Sequence, residues 1–442
     1  MFQAGFYEKV ITPPLGLGIP GYFDARFATD VVSDLYARAA VVSDGNETVA
    51  FLAIDVLTMY DEISDAIAER IHKFTGIKKE NILICATHIH TGGPVFEAFE
   101  TEDYTDEKYV SMLTDLSADA VTLAYKRQKP MRAKYACGKM DSISFVRNYK
   151  MEGDYVMTNP APSRPDIIGP CAEIDPELPV LVFCDEADCP RGAVISFACH
   201  QDCLVGSKDW YSTDYAGAMD KELKKEYGAD FVSVFFQGTC GDINHFDVTK
   251  KHPLTKETYQ WMGSLLASEI KFAIPDATVI TDETVEAKTE TLTLSCRLFS
   301  EDELEEARTF LKEHEGETIT YTEFNPETDF FRYHYAIRAL KYMETASETK
   351  DVRMQVIRIG DFLMYGFPGE VFVDFGHYIK ENAPTEKRMI ATLAFLGYSY
   401  LPTRELFQPT VYEAQLPTCI FTPDGGHIIA DKLIEMGKEL IK

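Results

Sequence analysis

Two histidines, His88 and His90, stand two residues apart in Thr87–Pro94 (THIHTGGP). On extended backbone, residues i and i+2 point to the same side, so both imidazoles can face one site. Imidazole is a common zinc ligand, and two on one rigid edge lower the cost of organising a metal. The plainer reading is a pair of histidines satisfied by polar neighbours. Gly92-Gly93-Pro94 lets the chain turn sharply and leaves room above the pair. His200 ends the apolar run AVISFA, a place suited to a ligand or to a satisfied core histidine. Glu370 follows Pro368-Gly369 and is either a charge at a helix N-terminus or a metal-ligand carboxylate. Gln237–His245 (QGTCGDINH) is a tight loop whose N–H groups can hold an oxyanion or a water, or a plain turn. Tyr400 lies in YSYLPT, a strand-end segment that also reads as aromatic packing. Arg147 is a candidate anchor for a substrate carbonyl or carboxylate, with a surface salt bridge as the alternative. Asp214 either orients a metal ligand or caps the helix that follows, the cap being the simpler role.

Apolar runs and helical spacings predict the elements that must position these groups. Thr48–Val56 reads as a buried strand ending at Asp55, and Asn81–Ala86 as a second one that delivers the H-x-H. Between them Ile63, Ile67 and Ile71 have helical spacing, closed by Thr75-Gly76. A long helix is expected over 105–126. Leu178–Phe183 and Ala193–Ala198 read as strands, Tyr215–Tyr227 as a helix, and Asp230–Phe236 as the strand that delivers the glycine loop. Helices are expected over 255–273 and 427–441. Residues 297–350 read as a charged, mostly helical insertion within a single unit spanning 1–442. Arg353–Ile359 and Phe362–Phe367 form an expected hairpin around Gly360-Asp361. Glu370 is expected at the mouth of a helix running to Glu381, and Met389–Phe395 is the last strand. Alternating strands and helices imply an α/β fold with a mixed sheet. His88, His200, Asp242, Glu370 and Tyr400 all fall at C-terminal ends of apolar strands, where open α/β sheets build sites.

Composition narrows the partners. The chain has 71 acidic and 43 basic residues, a net charge of −28. Such a field repels phosphate backbones and anionic membranes, so no nucleic-acid partner is expected. No run approaches the ~18 apolar residues of a membrane span. The N-terminus lacks the basic-then-apolar pattern of an export signal, which predicts a cytoplasmic protein. Ten cysteines are present and none forms C-x-x-C, which argues against a cysteine-rich zinc site and for reduced thiols. The apolar fraction of 45% is ordinary for a globular protein with a real core.

Taken together, ITPPLG, LYARA, ATHIHTGGP, the His200 strand, GTCGDIN, PGE and GYSYLPT resemble the catalytic region of the neutral/alkaline ceramidases in order and spacing over nearly all of residues 3–440. The resemblance implies one zinc ion held by His88, His200, Glu370 and Tyr400. It implies that His90 bonds the metal water or the leaving group and that Arg147 holds substrate; Asp55, Asp214 and Asp242 are candidates to support the ligands from behind. It further implies hydrolysis of an amide in an N-acyl, ceramide-like lipid by a metal-activated water. Family members carry a serine in the glycine loop, where this chain has Asn244 followed by His245; Asn244 is taken as the corresponding catalytic position. The resemblance ends near Lys442 without the immunoglobulin-like C-terminal domain, implying a short bacterial member. The serine departure keeps two alternatives open: a zinc hydrolase of a small soluble amide or ester, and a non-catalytic metal-binding protein. H-x-H also opens metal sites in amidohydrolase barrels, but PGE and the Tyr400 segment fit that scheme poorly.

Overall fold

The Thr48–Ile54 run is apolar throughout because both of its faces are covered. Val49, Phe51 and Ala53 point into one core, and Ala50, Leu52 and Ile54 into another. Strand alternation sends successive side chains to opposite faces, so a strand between two cores loses its polar face. The computed structural model describes residues 1–95, 106–204, 209–250, 254–396 and 399–441.

The main sheet has nine strands. Its spatial order is Val232–Gln237, Pro190–Phe197, Glu177–Cys184, Lys129–Lys139, Phe2–Val10, Tyr36–Ser43, Thr48–Ile54 and Ile82–Ala86, with Thr278–Val279 added beside Lys129–Lys139. Its middle is antiparallel. The outermost pair at each end is parallel: Thr48–Ile54 with Ile82–Ala86, and Pro190–Phe197 with Val232–Gln237. A second sheet has four strands, Val285–Ser295, Thr349–Ile359, Phe362–Gly366 and Arg388–Ala391. The two sheets pack face to face through Phe51, Leu83, Phe236, Ile357, Met364 and Met389.

Helices cover the outer faces. α1 (Asp61–Thr75) and α2 (Glu107–Lys126) lie on one half of the main sheet. α3 (Asp214–Tyr227) and α4 (Thr258–Ala273) lie on the other half. α5 (Glu301–Glu313) and α6 (Asp329–Met343) fall in the 297–350 segment. α7 (Val373–Asn382) and α8 (Gly425–Leu440) cover the second sheet. The result is an α/β molecule of four layers, helix–sheet–sheet–helix. Among the described residues no helix is long and apolar enough to cross a membrane.

One expectation needs correction and one element is new. Glu370 does not open a helix: it lies in the two-residue strand Glu370–Val371, paired in parallel with Tyr400–Leu401, and α7 begins only at Val373. Gly369 precedes it with φ of 82°, a left-handed turn that sends the chain into that pairing. The long edge strand Val285–Ser295 was also not anticipated, because polar residues dominate VEAKTETLTLS. The 105–126 helix is described from Glu107, residue 105 lying outside the described residues, as do Gly397 and Tyr398 of GYSYLPT.

Candidate metal centre

Thr87 and His88 leave the Ile82–Ala86 strand under tight control. The Thr87 N–H donates to Ile54 O at 2.9 Å and the His88 N–H to Val56 O at 3.0 Å. His88 then adopts φ of 63°, a left-handed conformation uncommon for a residue with a Cβ. The expected extended H-x-H is therefore a turn. It still presents both imidazoles to one point, their centroids 5.0 Å apart and their planes at 84°. The turn is zipped to the end of the neighbouring strand. His90 N–H donates to Gln201 O at 3.0 Å, and Gln201 Nε2 donates to Thr87 O at 2.5 Å. His200 arrives 4.8 Å from His88, centroid to centroid.

All three rings are held by the same device. Nδ1 of His88 faces Leu57 O at 2.9 Å, Nδ1 of His200 faces Ile243 O at 3.0 Å, and Nδ1 of His90 faces Gly21 O at 3.2 Å. A carbonyl only accepts, so each Nδ1 carries the hydrogen and each Nε2 is a bare lone pair. One ligand atom from each ring lies within 4.8 Å of the others. Glu370 Oε2 sits 3.2 Å from His88 Nε2 and 3.5 Å from His200 Nε2. These four atoms are buried without a hydrogen-bond partner among the described residues.

Lone pairs so crowded repel unless a cation lies among them. A proton is a poor candidate near neutrality. Burial, with Arg147 adding to it, pushes His200 down to about 4, and burial with the neighbouring imidazoles pushes His90 well below its ordinary value. Burial opposes ionisation of Glu370, so its carboxylate beside neutral rings calls for a cation among these atoms. Imidazole nitrogens beside a carboxylate are the donor set of a zinc site, so the residues fit the ion that the sequence implies.

Tyr400 joins by register, paired directly with Glu370. Burial first, then Glu370, hold its phenol well above the ordinary value, while Arg147 pulls the other way. Arg147 is not a surface residue. Its side chain is 7% exposed, its Nε donates to Glu413 Oε1 at 2.6 Å, and its guanidinium carbon stands 5.2 Å from the centre of the Tyr400 ring.

The remaining expected residues bond backbone or side chains outside the histidine cluster. Asp55 accepts from Tyr36 N–H at 2.8 Å, Arg38 Nη1 at 2.9 Å and Thr87 Oγ1 at 3.0 Å, so it fixes the residue before His88 and touches no ring. Asp214 neither orients an imidazole nor is the residue before α3, which is Thr213. Its carboxylate accepts from Cys203 N–H at 2.8 Å and Leu204 N–H at 3.1 Å, holding the chain just after His200, and burial pushes it up to about 6. Asp242 Oδ1 accepts from Val373 N–H at 2.8 Å and so ties the glycine loop to the start of α7. Asn244 directs its amide Nδ2 to Asn159 Oδ1 at 2.5 Å rather than to the imidazoles.

Several site residues were not legible in the sequence. The Gly21 turn supplies the acceptor for His90, and Tyr22 meets the His90 ring edge-on at 5.8 Å. Arg26 Nη2 donates to His90 O at 2.9 Å. Tyr412 lies 6.0 Å from the Tyr400 ring, with Glu413 beside it. None of these belongs to a recognisable motif.

Comparison with known proteins identifies the family and the fold. The sequence profile described as "Neutral/alkaline non-lysosomal ceramidase, N-terminal" matches residues 2–248. The neutral ceramidase of Pseudomonas aeruginosa is 23% identical over 219 residues, which is 47% of this chain and 31% of that protein. The matched segment is thus under a third of that relative's length. The crystal structure of the P. aeruginosa neutral ceramidase superposes with a TM-score of 0.74 at 19% identity, over 99% of this chain and 74% of the other. A structure titled "Ceramidase complexed with C2" gives 0.72 at 18%, over 100% and 75%. At these identities the superpositions speak for the fold, and the profile match over more than half of the chain settles the family: the chain belongs to the neutral/alkaline non-lysosomal ceramidases.

Proposed function

We propose that this protein is a zinc-dependent hydrolase of the amide bond in an N-acyl, ceramide-like substrate. One observation carries the reading: three Nε2 lone pairs and the Glu370 carboxylate converge, buried, with no hydrogen-bond partner among the described residues. His88, His200, Glu370 and Tyr400 would hold the ion. Zinc bound there supplies Lewis-acid polarisation of a carbonyl and lowers the pKa of a water to about 7.

The chain's own residues do the rest. His90 is neutral, with Nδ1 pinned to Gly21 O and Nε2 free. It can take a proton at Nε2 from the attacking water and return it to the leaving amine nitrogen. Arg147 offers a buried Nη2 donor without a partner among the described residues, suited to a substrate oxygen. Asp242 and Gly241 brace the Glu370 backbone; Gly241 N–H donates to Val371 O at 2.8 Å.

A second reading keeps the hydrolase and replaces the substrate by a small soluble amide or ester. The Asn244 amide, engaged with Asn159 at the position where the ceramidases carry serine, favours it. Release of fatty acid from N-acyl sphingosine, measured with zinc-loaded and chelator-stripped protein, tests both. Zinc-dependent release that rises with acyl length supports the lipid reading. Hydrolysis of short amides alone supports the second, and no zinc-dependent hydrolysis of either removes both.

A further inference from the structure

Glu413 is fully buried, and three donors converge on its carboxylate. Arg147 Nε lies at 2.6 Å, Thr158 Oγ1 at 2.8 Å and Asn148 Nδ2 at 3.4 Å. An ionised carboxylate offers about four acceptor positions, so most of its capacity is used inside the protein. Arg147 is correspondingly fixed. Its backbone N–H donates to Asp242 O at 2.8 Å, its Nε is bound to Glu413, and its guanidinium lies against the Tyr400 ring. Yet Nη2 is buried with no partner among the described residues. A buried ion pair built only for stability has no reason to leave a donor unmatched, since an unsatisfied buried donor is destabilising. An arginine held by Nε presents its terminal amines in one fixed plane.

We propose that Glu413 is a positioning residue: it orients Arg147 so that Nη2 meets an acceptor oxygen of the substrate beside Glu370 and Tyr400. The inference rests on the proposed hydrolase reading and deepens it. The substrate class it selects carries a carbonyl, carboxylate or hydroxyl oxygen at that point, next to the scissile amide. Glu413 itself touches neither substrate nor metal. The neighbouring residue Tyr412 packs near Tyr400, so the Tyr412–Ala414 turn meets the site through two successive side chains.

The test is a double-mutant cycle on the full chain, with Glu413→Gln, Arg147→Met and the double variant. Zinc content, kcat and KM are measured on a fluorophore-tagged N-dodecanoyl amide. Glu413→Gln is expected to keep its zinc and lose about 10–100-fold in kcat/KM. In the Arg147→Met background the same change is expected to alter kcat/KM by less than about twofold, because the group it orients is gone. A purely structural role lowers the zinc content or the folded fraction of Glu413→Gln along with kcat/KM, and that result overturns the proposal, as does a Glu413→Gln protein within about twofold of wild type. Should Glu413→Gln fail to fold, the double variant removes both charges together and still decides. Activity equal to Arg147→Met supports the proposal, and further loss refutes it. Wild-type protein without zinc-dependent hydrolysis refutes the hydrolase reading first and the inference with it, an outcome seen before any variant is compared.

Discussion

The hydrogen on each imidazole Nδ1 decides what this site can bind. Leu57, Gly21 and Ile243 supply three carbonyls that fix the tautomer, and none of the three was legible in the sequence because a backbone acceptor has no signature. The histidines themselves were legible from H-x-H and from the strand end at His200. Asp242 offers a test at the same scale. Burial, outweighing its bond from Val373, pushes its carboxyl up to about 7 from the ordinary 3.8. Between those values the folded state holds a proton that the unfolded state has released, so the group's contribution to stability falls as pH rises. The slope is about 1.4 kcal/mol per pH unit inside the window. Asp242→Asn keeps the acceptor for Val373 and cannot ionise. In chelator-treated protein, its stability relative to wild type is expected to rise from pH 4 to 7 and then level off. A difference that stays constant across that range contradicts the burial argument.

At the scale of elements, the site is built from turns that strands deliver and glycines allow to touch. A Cβ at Gly241 would lie 2.6 Å from Glu370 O, an approach that backbone cannot relieve by rotating a side chain. Gly241→Ala should therefore displace the Glu370–Val371 strand and weaken zinc binding by about tenfold or more, measured by competition with a chelator. Unchanged affinity would show that this close approach does not set the Glu370 position. Apolar runs such as Thr48–Ile54 and Val232–Gln237 were readable because two cores cover them. Phe2–Val10 and Val285–Ser295 were not, since their mixed polar residues carry no buried-run signal. Glu370 was placed at the mouth of a helix because the two-residue strand Glu370–Val371 has no periodicity to detect.

At the scale of the whole molecule, the parallel pair at each end of the main sheet brings its strand ends to one place. The Ile82–Ala86 end supplies His88 and His90, the Pro190–Phe197 end supplies His200, and the Ile89–Gln201 bridge joins them. The second sheet adds Glu370 and Tyr400 from the segments that follow its strands. The Arg147–Glu413 pair spans 266 residues of sequence, which no local pattern can anticipate. The 297–350 segment reaches the site through aromatic contacts: Phe324 and Phe331 lie 5.1 and 6.0 Å from Tyr412, which in turn adjoins Tyr400.

The convergence of these distant segments on one cation is the claim on which the rest depends, and metal analysis of the purified protein beside His88→Ala and Glu370→Ala tests it directly. About one zinc per chain in the wild type and loss of it in both folded variants is the expected result, in line with a single set of ligands around one ion. No bound metal in the wild type, or zinc retained in both variants, would contradict it.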